Sequence, residues 1–127
     1  MVFTNREAHK HFFSIQKQHG AVIAKGALIG LQFDALFTDN LYFKLSEHAI
    51  KMAMQMKRIF QKKGYEFFVD SPTNQQFIVL SDAEVERLSQ HFIFTHFGQA
   101  GKHHTICRFV TSWATTQEEI DELQRVL

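Results

Sequence analysis

The chain is poor in cysteine, carries almost no surplus of charge and has no long uninterrupted apolar run, and each scarcity removes a class of protein. Its single cysteine, Cys107 of 127 residues, rules out a disulfide within the chain and fits a reducing compartment, so a cytoplasmic location is expected. The formal net charge is +1. Nucleic acid and anionic membranes are bound through a basic surplus, so neither is expected as the main partner. The longest apolar stretch, "GALIGLQFDALF", is broken by Gln32 and Asp34, so no bilayer span is expected. The opening "MVFTNREAHKHFF" has neither the apolar core nor the cleavage site of an export signal. Also missing are a Gly-rich phosphate loop, a nucleophile elbow, a paired-carboxylate motif, an internal repeat and a low-complexity tract.

What is present is ordinary in bulk and unusual in one residue type. Apolar residues make up 45% of the chain and charged residues 21%, near the globular norm. The length suits a single domain, residues 1–127, with one core. Fourteen phenylalanines are many for that length. A small domain hides so many rings with difficulty, so some of them are expected to meet a partner outside the chain.

Local signals divide the chain into helices over 5–63 and a sheet-and-helix unit over 65–127. Thr4 and Glu7 form a capping-box pattern for a first helix, which should end near Gln18 with Gly20 as its stop. The segment 21–37 reads as a second helix, apolar nearly all round and carrying Gly26 and Gly30. Such a helix should be buried, with its glycines allowing another backbone to come close. Asp39 or Asn40 should cap a third helix. Its buried stripe is Leu45, Ala49, Met52, Ala53, Met56, Ile59 and Phe60, with Lys44, Lys51, Lys57 and Lys62 mostly off it. Gly64 should close it.

Beyond Gly64 the apolar period shortens to two. "YEFFVDS" and "QFIVLS" predict strands around the turn "PTNQ". Ser81 with Glu84 predicts a capped helix over 82–90. "HFIFTHF" predicts a third strand, "GQAGKHH" a loop and "TICRFVTSW" a fourth strand. Either Thr115 with Glu118 or Thr116 with Glu119 should cap a final helix. The expected fold is therefore α+β: N-terminal helices, then a β-β-α-β-β-α unit whose mostly antiparallel four-stranded sheet carries helices on one face.

Few residues suggest chemistry. Eight histidines include His103 beside His104, with His91 and His96 nearby and His9 and His11 two apart, but no spacing converges on a metal, so no metal site is expected. Cys107, inside a strand, reads as a buried structural thiol. Lys25 is a candidate anion contact as well as a solvent-facing lysine. Arg108 stands out, a guanidinium within an apolar strand. Alternation puts it on one face with Ile106, Val110 and Ser112, and puts Cys107, Phe109, Thr111 and Trp113 on the other. A half-buried arginine needs an anion. Two sources stay open: an internal acid such as Asp70 or Glu66, or the carboxylate of a ligand, which a guanidinium grips with two parallel hydrogen bonds.

Two blocks carry a resemblance. "FFSIQKQHGAVIAKGALIGLQFDALFTDNLYFKLSEHAIKMA" is similar to the segment that follows the cofactor lysine in low-specificity L-threonine aldolases and their β-eliminating lyase relatives. "RFVTSWATTQEEIDEL" resembles the C-terminal end of the same enzymes. The likeness runs through essentially the whole chain, in order, and implies the C-terminal small domain of a fold type I enzyme that uses pyridoxal phosphate. It further implies that Arg108 holds the carboxylate of an amino-acid substrate, with Asn74 of "TNQQFIV" as a second substrate contact and Lys25 as a cofactor contact. Relatives commonly place an arginine where this chain has Ala27, which weakens an anion site there. The family's Schiff-base lysine lies in a short Thr-Lys-small-Gly motif, and none of this chain's lysines has that context. The reaction implied for the full-length enzyme is cleavage of β-hydroxy amino acids, threonine giving glycine and acetaldehyde, with no activity and no bound cofactor for this chain alone. A homo-oligomer formed through helix 21–37 is also implied, as is a different reading: a non-catalytic, self-associating module derived from such an enzyme.

Overall fold

The structure, a computed structural model, describes residues 10–127. The Thr4–Glu7 pair and His9 lie outside the described residues. The chain divides into two compact units, one up to Asp39 and one from Asn40 to Leu127.

The first unit holds helices α1 (Phe12–Gln18) and α2 (Gly26–Phe37). Gly20 stops α1 with a positive φ of 67°, which lets the Ala21 N–H reach back to the Gln16 carbonyl at 2.9 Å. Helix α2 begins later than the apolar pattern suggests. Residues 21–23 have no regular secondary structure, and the first turn closes only when the Gly26 N–H bonds the Ile23 carbonyl. The expectation that this helix is buried is also corrected, since none of its residues is. An all-round apolar surface says that a helix needs cover, and it does not say that the same chain supplies it.

The second unit contains α3 (Leu41–Lys62), β1 (Glu66–Val69), β2 (Gln75–Ser81), α4 (Asp82–Ser89), β3 (Thr95–Gln99), β4 (His104–Val110) and α5 (Gln117–Val126). Helix α3 buries Ala49, Met52, Ala53, Met56, Ile59 and Phe60, the stripe its spacing gives, with Leu45 half-buried at the margin. Asn40 does stand at the N-cap position, but its side chain makes no capping bond. Asp39 and Asn40 both adopt left-handed backbone, at φ 51° and 59°, which carries their side chains out of capping geometry. At the other end Gly64, with φ 81°, allows the Tyr65 N–H to bond the Phe60 carbonyl and its own N–H to bond that of Gln61. This double closure satisfies two carbonyls of the last turn.

All four strands pair antiparallel in the order β1-β2-β4-β3. Ile78 faces Cys107 and Gln76 faces Phe109 across the central pair. Ile78, Cys107 and Phe109, with Leu80, point toward α3, α4 and α5 and form the core together with Met52, Met56, Phe60, Leu88, Ile120 and Leu123, and Gln76 is a buried polar residue on the same face. The ring of Phe60 lies against both Tyr65 and Phe109, at centroid distances of 5.3 and 5.1 Å. Capping boxes start α4, through Ser81 and Glu84, and α5, through Thr116 and Glu119.

The third strand starts four residues later than "HFIFTHF" predicts and ends two later, at Gln99. The backbone of His91 and Phe92 is still tied to the Leu88 carbonyl at the end of α4, and Phe94 stacks on Phe109 at 4.8 Å. Core packing thus claims the residues whose alternation resembles a strand, and pairing starts at Thr95. Gly98, Gln99 and His104 of the expected loop belong to strands, leaving a turn at residues 100–103. The fourth strand ends at Val110 rather than Trp113. Beyond it the Ser112 N–H bonds the Thr115 hydroxyl and the Thr115 N–H bonds the Ser112 carbonyl, folding the chain into a turn.

Candidate functional site

In the unit from Asn40 to Leu127 the sheet has helices on one face only, and the other face carries the candidate site. Successive side chains of a strand point to opposite faces. In β4 the set Thr105, Cys107 and Phe109 goes to the helices, so Ile106, Arg108 and Val110 go to the other side. There Ile106 pairs with Val79, and Arg108 lies between Phe77 on β2 and Thr95 on β3. Phe77 meets Phe97 edge-on at 4.9 Å. The neighbouring strand positions on this face are therefore largely apolar, and two strands flank Arg108 because β4 is an inner strand.

Arg108 is half-buried. Its Nε donates to the Thr95 hydroxyl at 3.0 Å and its Nη1 donates to the Gln75 amide oxygen at 3.4 Å. Both partners are neutral. Among the described residues no ion pair includes Arg108. Asp70, one of the two acids considered as an internal partner, bonds Lys57 instead. Glu66, the other, stands on the edge strand β1 in register with Val79 of β2 and forms no ion pair with Arg108 among the described residues.

Asn74 stands at the same end of the β2–β4 pair. Its side-chain amide donates to the Thr111 carbonyl at 2.8 Å, and its own carbonyl accepts the Thr111 N–H at 3.0 Å. The Thr111 hydroxyl in turn donates to the Ala49 carbonyl of α3 at 2.7 Å. Asn74 thus clamps the "PTN" turn to the end of β4, and Gln75 next to it reaches Arg108. Lys25 belongs to the other unit, where it is exposed and occupies the N-cap position of α2. Thr95 and Gln75 were not singled out from the sequence. Neither stands in a local motif, and only the register of β3 and β2 on β4 brings them to the guanidinium.

Cys107 is fully buried, and burial pushes its thiol up from its ordinary value. The histidines take separate places. A ring nitrogen of His48, Nε2, lies 2.8 Å from the Thr115 carbonyl, and His103 lies 3.3 Å from Asp82 at the surface. Among the described residues no three of His, Cys, Asp or Glu come together as a metal-ligating group, and no helix is long and apolar enough to cross a membrane.

No family model and no curated protein matches this sequence. Solved structures do. The threonine aldolase of Leishmania major is 34% identical and superposes with a TM-score of 0.82, over 89% of this chain and 33% of that one. The chain thus has the fold of part of a threonine aldolase, and it spans about a third of that enzyme's length. An 8-amino-7-oxononanoate synthase from Francisella tularensis shares the fold, with a TM-score of 0.55 at 17% identity over 79% of this chain and 30% of that one.

Proposed function

We propose that this chain is the carboxylate-binding, C-terminal part of a pyridoxal-phosphate-dependent lyase of the threonine aldolase type, which cleaves β-hydroxy amino acids when complete. The observation that carries this reading is Arg108, a half-buried guanidinium on an apolar sheet face, held by two neutral side chains and by no acid among the described residues. A charge partly withdrawn from water without a counter-charge carries a cost, and a ligand carboxylate removes that cost. The likeness to a threonine aldolase gives the carboxylate an owner, an amino acid.

Pyridoxal phosphate, when bound in such an enzyme, supplies the electron sink for breaking a bond at Cα. The residues of this chain fit the substrate side of that site rather than the cofactor side. Among them only Lys25 is a candidate for touching the cofactor, and no lysine has the Thr-Lys-small-Gly context. The role of this chain is to bind and orient: Arg108 fixes the carboxylate, and Asn74 holds the turn that carries Gln75. The test is Arg108→Ala in an enzyme completed with the large domain of the Leishmania aldolase. Removing one partner of a desolvated charge pair costs about 2–5 kcal/mol, so KM for threonine should rise roughly 30-fold or more. An unchanged KM would overturn the assignment.

A second reading, self-association without catalysis, is favoured by α2. Leu28, Ile29, Leu31, Phe33 and Phe37 are all exposed on it, and the space around Gly30 is open. Apolar surface of that extent marks an interaction site, and a symmetric pairing of two copies through 21–37 would cover it. Light scattering over a concentration series decides: association that Leu31→Asp abolishes supports this reading, and a monomer at every concentration removes it.

A further inference from the structure

The two neutral side chains around Arg108 do more than fill space. We propose that Thr95 and Gln75 are positioning residues that aim the guanidinium so that it takes a carboxylate end-on, through Nη1 and Nη2. The inference rests on the reading of Arg108 as a carboxylate receptor and adds to it the direction of approach.

A guanidinium has two two-pronged edges, one formed by Nε and Nη2 and the other by Nη1 and Nη2. Thr95 is the register partner of Arg108 on β3. Its hydroxyl accepts from Nε at 3.0 Å and, with its own proton, reaches the Arg108 carbonyl at 3.5 Å. Both functions of that hydroxyl are thus directed at one residue. The single Nε proton is committed to it, so the side edge keeps only one free prong. From the opposite strand, Gln75 accepts from Nη1 at 3.4 Å. Nη1 carries a second proton, and neither proton of Nη2 has a partner among the described residues. The two nitrogens of the end edge thus keep three of their four protons, whereas on the side edge Nε has none left to give.

The chemical identity of the two holders matters as much as their place. A carboxylate at either position would hold the guanidinium equally well but would neutralise it and close it to a ligand. A hydroxyl and an amide orient it and leave its charge available. Since the two strands on either side of β4 each fix one nitrogen, rotation about the last side-chain bonds is limited before any ligand arrives. The ligand class this suits is a planar monoanion with two equivalent oxygens.

The test uses the full 127-residue chain, with acetate and glycine as probes against sodium chloride at equal ionic strength. Binding is followed by NMR at the Arg108 Nε–Hε group and at the backbone amides of β2 and β3. Wild type should show a saturable shift with both probes. Thr95→Val keeps the shape and removes the hydroxyl. It should weaken binding about three- to tenfold, the cost of ordering one long side chain on binding, and should move the Nε–Hε resonance before ligand is added. Thr95→Ser should restore both. Gln75→Glu should abolish binding by supplying the acid internally. Two results overturn the proposal separately. If Arg108→Ala loses binding while Thr95→Val and Gln75→Glu bind as wild type does, the positioning roles are wrong and Arg108 stands as the receptor. If wild type shows no saturable shift, or Arg108→Ala leaves it unaltered, Arg108 is not the receptor and both conclusions fall together.

Discussion

At the scale of single residues, Arg108 and Cys107 show what a strand does to neighbours in sequence. One residue apart, they serve opposite faces, and their chemistry separates accordingly. Cys107 is sealed into the core with its thiol pushed up by burial, so it stays protonated at neutral pH and gives little nucleophilic thiolate. Native protein should therefore resist Ellman's reagent over hours, while unfolded protein should release one equivalent at once. Rapid reaction of the native chain would contradict its place in the core. The oddity of Arg108 was legible in the sequence because a charge interrupts an apolar strand. Its holders were not, because Thr95 and Gln75 look like any polar residues until β2 and β3 are set in register with β4.

At the scale of elements, the sequence was most readable where a helix begins or ends by a local bond. The Ser81–Glu84 and Thr116–Glu119 boxes and the Gly64 closure all lie within a few residues of what they act on. The start of β3 was unreadable for the opposite reason, since the stacking of Phe94 on Phe109 is a tertiary event that alternation cannot report. The α4 cap also makes stability depend on pH. Burial alone would raise the Glu84 carboxyl, but hydrogen bonds from the Ser81 hydroxyl and N–H outweigh it, aided by Tyr65 and Arg87, and hold it below its ordinary value of 4.5. A carboxyl lowered by folding contributes stability that is fully present above its unfolded value and is lost as pH falls through the lowered one. Urea unfolding should show Glu84→Gln less stable than wild type at neutral pH, with the gap closing as pH falls below the ordinary value of 4.5. Ser81→Ala should cost about 1 kcal/mol at neutral pH. A Glu84→Gln gap that is constant with pH would mean the ionised form contributes nothing to the cap.

At the scale of the whole molecule, the two units differ in what holds them. Every buried apolar residue among those described lies at or beyond Ala49, whereas α2, at twelve residues, is of a length at which a helix without packing is marginal in water. Amide hydrogen exchange should be fast in α2 and slow in α3, β2 and β4. If two copies cover α2, its exchange should slow as protein concentration rises, while that of β4 should not change. Equal protection of α2 and α3 in dilute solution would contradict this division. The seven residues of β4 have a further consequence. Their alternate letters are answerable to different demands, so a substitution that satisfies one can disturb the other from behind. Enlarging Cys107 to Leu would strain a tightly filled interior by about 1–3 kcal/mol, and the ribbon that yields to it carries the neighbouring guanidinium along. Loss of ligand recognition in such a variant would then have its origin in the oily side of the sheet, at a position no ligand ever meets.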